Sequence, residues 1–312
     1  MSVRTVDVGH SAAGRPARRH LPRYALERRV LPYIFISPFF ILFAVFSLFP
    51  LVQALYYSTM KWTGGSDMTF IGLRNYINLF DDPVFIQAVS NTAYYAIGAV
   101  FVIQPIALML ALVVNSQLVR LKSFFRVGVI LPNLTSAVAA AIMFMLMFDH
   151  SYGLFNQGLL ALGLPPAKWL DQDLVKFSVL LVAAWRYVGI NMLYWLAGLQ
   201  SIPGEVYEAA AVDGANSWTQ FWHITLPLLR PVALFVLVIT IIGTFQLFAE
   251  PSVLAGGGPK NASLTIAMYI YRAGFQFSRM GYASAMGYVL AAMIFALSLA
   301  QVRLFGSRAD GK

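Results

Sequence analysis

Long apolar runs, rather than strict alternation or a half-apolar helical stripe, set the pattern of this chain. Six stand out: Leu31 to Tyr57, Ala93 to Ser116, Val127 to Phe148, Phe177 to Leu199, Pro231 to Ala249 and Tyr282 to Val302. Each is about 20 residues long or more, enough for a helix to cross a hydrocarbon core of roughly 30 Å. A helix also satisfies its own backbone groups, which a lipid environment demands. The pattern predicts an all-α, polytopic membrane bundle of six transmembrane helices. Only the fourth run contains a full charge, Arg186.

The segments between the runs carry turn chemistry and short amphipathic stretches. Residues 61–87 hold a Gly-Gly pair and FIGLRNY, and residues 151–176 hold Pro165-Pro166 and Asp171-Gln172-Asp173. Short interfacial helices are expected in both. Trp62, Tyr76 and Trp169 lie near run ends, where amphipathic rings favour the headgroup zone. No fixed-period repeat is apparent, so neither a solenoid nor an inverted-repeat transporter gains support.

Composition reinforces the membrane reading: of 312 residues, 59% are hydrophobic and 11% charged, too few charges to cover a soluble surface. The absence of Cys excludes disulfides, Cys-ligated metal and a Cys nucleophile. The net charge of +9 does not point to nucleic acid, because the basic residues crowd in the N-terminal segment and short loops without interleaved aromatics. Residues 1–29 carry seven Arg among Gly, Ser and Pro, the composition of a disordered basic tail. The apolar run that follows is too long for a signal-peptide core and reads as a retained first span. With this tail inside, 14 Lys and Arg fall on the inner side and 7 on the outer, which predicts both termini in the cytoplasm, residues 306–312 forming a short second tail.

Catalytic and metal-binding readings find little. His10, His20, His150 and His223 are scattered, Asp81-Asp82 stands alone beside Pro83, and Gly256-Gly257-Gly258-Pro259 lacks the Lys and hydroxyl residue of a phosphate loop. No catalytic residue, metal site or cofactor bound by this chain is expected. Polar groups at membrane depth are costly unless paired or facing a polar cavity. Arg186, Tyr187 and Asn191 in the fourth run and Gln246 and Glu250 near the end of the fifth are therefore the candidate binding residues. Gln246 and Glu250 form an i,i+4 pair that places them on one helical face. Trp185, Phe245 and Phe248 lie beside them and offer aromatic rings for stacking. The competing reading is that these polar groups satisfy one another, or that Arg186 pairs with an acid of a partner.

One polar, Gly-broken stretch interrupts the hydrophobic sequence, on the side where positive charge collects: residues 201–229, between the fourth and fifth runs. Ser201-Ile202-Pro203-Gly204-Glu205 offers a hydroxyl cap, a Pro for the first turn and an acid for the N-terminal partial charge. Val206 to Val212 would form one short helix, Gly214 permits a left-handed turn, and Trp218 to Ile224 would form a second helix ending at Leu226-Pro227. Glu208-Ala209-Ala210 is followed by Gly214 after three residues, Ile224 after nine more, and Leu226-Pro227 just beyond.

This spacing resembles the EAA coupling loop of ABC importer permeases. Further segments, SPFF (37–40), FIGLRNY (70–76), FFRVGVILPNLTS (124–136), FDHSYGLFN (148–156), GLQSIPGEVYEAAAVDGA (198–215), LAGGGPKNAS (254–263) and GYASAMGY (281–288), are similar to the carbohydrate-uptake branch related to the maltose and glycerol-phosphate systems, and to its first permease subunit. The resemblance covers nearly the whole chain after the basic tail. It implies the type I ABC importer permease fold over residues 30–305, in its minimal six-helix form without the extra N-terminal helices and large outer insertion of the maltose-type subunit. It implies a multi-pass protein of a bacterial or archaeal inner membrane, serving ATP-driven uptake of a sugar or sugar derivative. The partners implied are a second permease subunit in a heterodimer, two ATP-binding subunits that hold ATP and Mg²⁺, an extracytoplasmic solute-binding protein, the sugar and the bilayer. Glu208, Ala209, Ala210, Asp213, Gly214, Ile224, Leu226 and Pro227 would couple to the ATPase. An importer permease for a non-sugar solute and an ATP-independent secondary transporter are the alternatives.

Overall fold

The computed structural model of the protein describes residues 23–116 and 121–306. Five helices are long and apolar enough to cross a membrane: α1 (Leu31–Ser58), α3 (Pro83–Asn115), α7 (Val175–Gln200), the stretch Arg230–Ala255 and α13 (Met280–Gly306). A sixth crossing is assembled from α4 (Lys122–Leu134) and α5 (Ala137–Met147), bent by 93° at their junction. The expectation of six apolar spans is met, with two corrections. The third span is broken, because Pro132 removes a backbone donor and Thr135 and Ser136 leave the helical conformation. The fifth is interrupted at Gln246–Phe248, dividing α10 (Arg230–Phe245) from α11 (Ala249–Ala255).

The chain divides into two units, residues 1–53 and 54–312. In the first, helix begins at Arg23, so the last seven residues of the basic segment are already helical; residues 1–22 lie outside the described residues, as do 307–312 of the C-terminal tail. The apolar side chains from Leu31 onward are exposed, as lipid-facing groups are.

In the second unit, a two-stranded hairpin (β1, Met60–Trp62; β2, Met68–Phe70) turns at the Gly-Gly pair and leads into α2 (Arg74–Phe80). Asn75 of FIGLRNY is buried and donates to the carbonyls of Ser58 (2.8 Å) and Met60 (2.9 Å), fastening α2 to the end of α1. In the next long connection, α6 (Leu154–Ala161) is pinned by buried Asn156, which donates to Ala167 O and accepts from Ala167 N and Trp169 Nε1. Both short interfacial helices expected from sequence are therefore present.

Three π-helical turns, Ala44–Leu48, Ala99–Ile103 and Phe221–Thr225, end two residues before Pro50, Pro105 and Pro227. The proline ring collides with the carbonyl four residues earlier, which lies inside the π turn in each case; widening the turn moves that carbonyl aside and keeps the helix continuous. Close helix packing has its own signature at Gly189, where a Cβ would overlap the backbone carbonyl of Val129, so α4 and α7 meet backbone to backbone.

Asp82 ties the end of the bundle that holds the hairpin. Its Oδ1 caps α3 by accepting from Val84 N (2.9 Å) and Phe85 N (3.3 Å), while Oδ2 accepts from Tyr269 of α12 (Ile266–Tyr271) and Tyr282 of α13, at 2.6 and 2.7 Å. Burial pushes its carboxyl up, but the two phenols and two amides outweigh that and hold it below the ordinary value. Burial and the Asp82 charge push the Tyr269 phenol up.

Candidate functional site

The segment 201–229 folds as two short helices joined at a glycine. α8 (Gly204–Val212) starts after Pro203 with no side-chain cap. The expected Ser201 cap is not formed: its hydroxyl donates to Gly198 O (2.7 Å), closing the end of α7 instead. Gly214 takes φ +83°, the left-handed conformation expected of it, and Ala215 N returns to Ala210 O (2.9 Å). The second helix is longer than sequence suggested. It starts at α9 (Ser217–Gln220) under an Asn216 cap that accepts from Thr219 N (2.8 Å), and it continues through the π turn to Leu228 rather than ending at Pro227. Tyr207 and buried Thr225 hydrogen-bond at 3.0 Å and join the two helices.

On this knob Glu208, Ala209, Asp213 and Gly214 are exposed, Ala210, Ile224, Leu226 and Pro227 are half-buried, and Val212 (88% exposed), Trp218 (70%) and Trp222 stand out as exposed apolar groups. Asn216, Tyr207 and the exposed tryptophans were missed as contributors. The Asn-x-x-Thr start, with Asn216 as cap, is a legible signal that Ser201 obscured.

Within the membrane-spanning part, α3, α7 and α10 form most of the lining of a half-open cavity of about 330 Å³. Its wall carries Tyr187, Asn191 and Tyr194 from α7, Thr240 and Thr244 from α10, Tyr95 from α3 and Asn133 beside the break in the third span. A buried network lies behind it. Gln104 donates to Asn191 Oδ1 (2.9 Å) and Thr240 Oγ1 (2.6 Å) and accepts from Trp195 Nε1 (2.9 Å), while Asn191 donates to Tyr187 O (2.8 Å). The Tyr95 hydroxyl is buried without a hydrogen-bond partner among the described residues.

Arg186 and Glu250 do not line this cavity. They form a buried ion pair with each other, their side chains 9% and 2% exposed. The Tyr187 hydroxyl donates to Glu250 Oε1 (2.9 Å) and accepts from Arg186 (3.2 Å), and Arg186 also reaches Thr135 O (3.4 Å) at the break of the third span. The pair thus clamps both interrupted spans to α7, from behind the Tyr187 wall. Of the five candidates from sequence, two line the cavity and two pair with each other. The fifth, Gln246, is exposed in the interruption after α10 and does not line the cavity, and the break separates it from the helix of Glu250, so the shared helical face does not exist. The three stacking candidates fall elsewhere too: Trp185 packs on Phe144 (5.3 Å), Phe245 is in the core, and Phe248 meets Tyr271 (5.4 Å). Tyr95, Tyr194, Asn133, Thr240 and Thr244 were missed. Helical spacing gave the signal, since 187, 191 and 194, like 240 and 244, repeat along one face.

A multi-pass bundle with a protruding two-helix knob defines a membrane transport permease subunit. Residues 103–309 match the family of binding-protein-dependent transport system inner membrane components, and the chain belongs to that family. It is 41% identical over 284 residues to the arabinooligosaccharides transport system permease protein AraP of Bacillus subtilis, covering 90% of both chains. It is 38% identical to the lactose transport system permease protein LacF of Rhizobium radiobacter, covering 86% of this chain and 92% of that one. Against the sn-glycerol-3-phosphate permease protein UgpA of Agrobacterium fabrum it is 32% identical, covering 90% and 96%. A crystal structure of a bacterial alginate ABC transporter, in complex with an alginate pentasaccharide-bound periplasmic protein, contains a chain that superposes with a TM-score of 0.80 at 25% identity, over 91% of this chain and 96% of that one. The type I importer permease fold inferred from sequence is thereby shown, as is a multi-pass membrane protein.

Proposed function

We propose that this chain forms half of the translocation pathway of an ATP-driven, binding-protein-dependent importer for a sugar or sugar derivative. The observation that carries the reading is the cavity: hydroxyl, phenol and amide groups on an apolar wall, inside a family of solute permeases, are the groups that hydrogen-bond and stack on a glycoside. Tyr187, Asn191, Tyr194 and Thr244 are the proposed contacts, with the Arg186–Glu250 pair holding Tyr187 in place. The sugars for which relatives are named, arabinooligosaccharides and lactose, support the carbohydrate class.

The knob supplies the coupling. Glu208, Asp213 and the exposed Val212 and Trp218 are presented to an ATP-binding subunit. Gly214 sets the turn, and Ile224, Leu226 and Pro227 lead the motion back into α10. Two such subunits would hold ATP and Mg²⁺, and their closure would drive the knob and switch this chain and a second permease subunit from inward to outward facing. A solute-binding protein would then deliver sugar from the outer side, with both termini of this chain in the cytoplasm.

The test is a tagged pull-down from solubilised native membranes, followed by ATPase assay with a panel of solute-binding proteins and sugars. Recovery of a second permease and an ATP-binding subunit, with activity stimulated by one loaded binding protein, is the expected outcome. An active chain recovered alone overturns the reading.

A further inference from the structure

We propose that the Arg186–Glu250 pair sets the charge selectivity of the cavity, so that it admits uncharged glycosides and disfavours anionic ones; this rests on the reading that the cavity lies on the solute path. No Asp, Glu, Lys, Arg or His lines the cavity. The nearest full positive charge, Arg186, sits one residue from the wall residue Tyr187 and is held by the carboxylate of Glu250. A lone guanidinium there would attract carboxylates and phosphates through paired, charge-assisted hydrogen bonds. Glu250 occupies that role permanently from inside the protein. What the cavity offers a solute is therefore neutral donors and acceptors, Tyr187, Asn191, Tyr194, Thr240 and Thr244, in a wall with far more apolar than polar surface. An anion entering it gives up its hydration without a counter-charge, a cost an uncharged sugar does not meet.

Glu250 is thus a positioning and specificity residue that need not touch the solute. Its arrangement leaves a latent anion site: the Arg186 Nε hydrogen has no partner among the described residues, and one guanidinium nitrogen already points to the carbonyl of Thr135, two residues from the wall residue Asn133. Removal of the Glu250 charge alone would expose that site.

Equilibrium binding to the purified permease–ATPase complex, in detergent and without the solute-binding protein, tests this free of the binding protein's own filter. The probes are neutral disaccharide alditols, each matched with its aldonate, the same open-chain glycoside with a carboxylate in place of the terminal CH2OH. The wild-type complex is expected to bind at least one neutral alditol about tenfold or more tightly than its aldonate. Glu250→Gln is expected to shift the neutral-to-anionic ratio by about tenfold toward the aldonate. The paired change Arg186→Gln with Glu250→Gln has no charge to expose and is expected to keep the wild-type preference, which separates a charge effect from misfolding of the single variant. Wild-type binding that favours aldonates, or a Glu250→Gln complex that assembles with an unchanged ratio, overturns the proposal. Binding of no sugar across the panel, with uptake of a non-carbohydrate by the same complex, overturns the carbohydrate reading and the selectivity rule with it.

Discussion

The knob at 201–229 and the wall around Arg186 both concentrate polar side chains, and they dispose of them in opposite ways. At the wall, Arg186 finds Glu250, Asn191 finds Gln104, Gln104 finds Thr240 and Trp195, and nearly every group is satisfied inside this chain. On the knob, internal bonds such as Asn216 to Thr219 and Tyr207 to Thr225 shape the backbone, while Glu208, Asp213, Val212 and Trp218 remain turned outward. The network that backs the wall is closed chemistry, which fixes a shape and a charge balance for the groups that face the cavity. The knob is open chemistry, which has use only against another surface. A polar residue at membrane depth is therefore not by itself a solute contact, and an exposed tryptophan on a polar loop is not by itself a packing defect.

Removing one partner from the wall breaks the comparison most severely. Glu250→Leu leaves Arg186 charged and buried, at a cost of about 3–5 kcal/mol, and Arg186→Met with Glu250→Leu together should recover most of it. Thermal unfolding of the purified complex measures both; equal losses for the single and double changes would mean that the pair is not the clamp. On the knob the same logic predicts little loss of stability. Glu208→Lys should leave the chain inserted with its melting temperature unmoved, while ATP-driven uptake in proteoliposomes falls by about tenfold or more, the scale of a coupling energy of about 1–3 kcal/mol. Normal uptake would remove Glu208 from the interface. Gly214→Val lies between the two regimes: a branched side chain at φ +83° strains the turn by about 1–2 kcal/mol, so both uptake and knob stability should drop modestly. An unaffected transporter would show that the turn tolerates another conformation.

Legibility in sequence follows the same division. The six apolar crossings could be read because lipid imposes a run of about 20 apolar residues whatever the packing. Their interruptions were passed over: Pro132, Asn133, Thr135 and Ser136 cluster at the first break, but a criterion of run length averages over such a cluster, and Gln246 stands between apolar neighbours at the second. The left-handed turn at Gly214 could be read because the knob's chemistry is local and its spacing is short. The Arg186–Glu250 pair spans 64 residues, and nothing in the composition near either residue names the other. Thr240 and Thr244 were hidden for a different reason. Both hydroxyls donate to carbonyls four residues earlier, at 2.7 Å, a bond that any helical Thr makes and that disguises a cavity wall as an ordinary membrane helix.

The smallest expected effect comes from Asp82, which has the closed chemistry of the wall but sits at the water-facing end of α3. Its carboxyl is held below the ordinary value of 3.8, chiefly by the Tyr269 and Tyr282 hydroxyls acting against burial. A carboxylate depressed in the folded state contributes stability above its ordinary pKa and loses it as pH falls through the lower folded value. The clamp of α3 to α12 and α13 should therefore hold at neutral pH and loosen only in acid, once pH has fallen below the ordinary carboxylate value. Amide exchange at Val84 and Phe85 in lipid nanodiscs reads this directly, because both amides donate to the same carboxylate. Asp82→Asn keeps a cap for those amides but cannot titrate, so its exchange should stay flat across that acid range once intrinsic exchange is divided out. Identical pH profiles for the two proteins would mean that the Asp82 charge, unlike that of Glu250, adds nothing to holding the helices together.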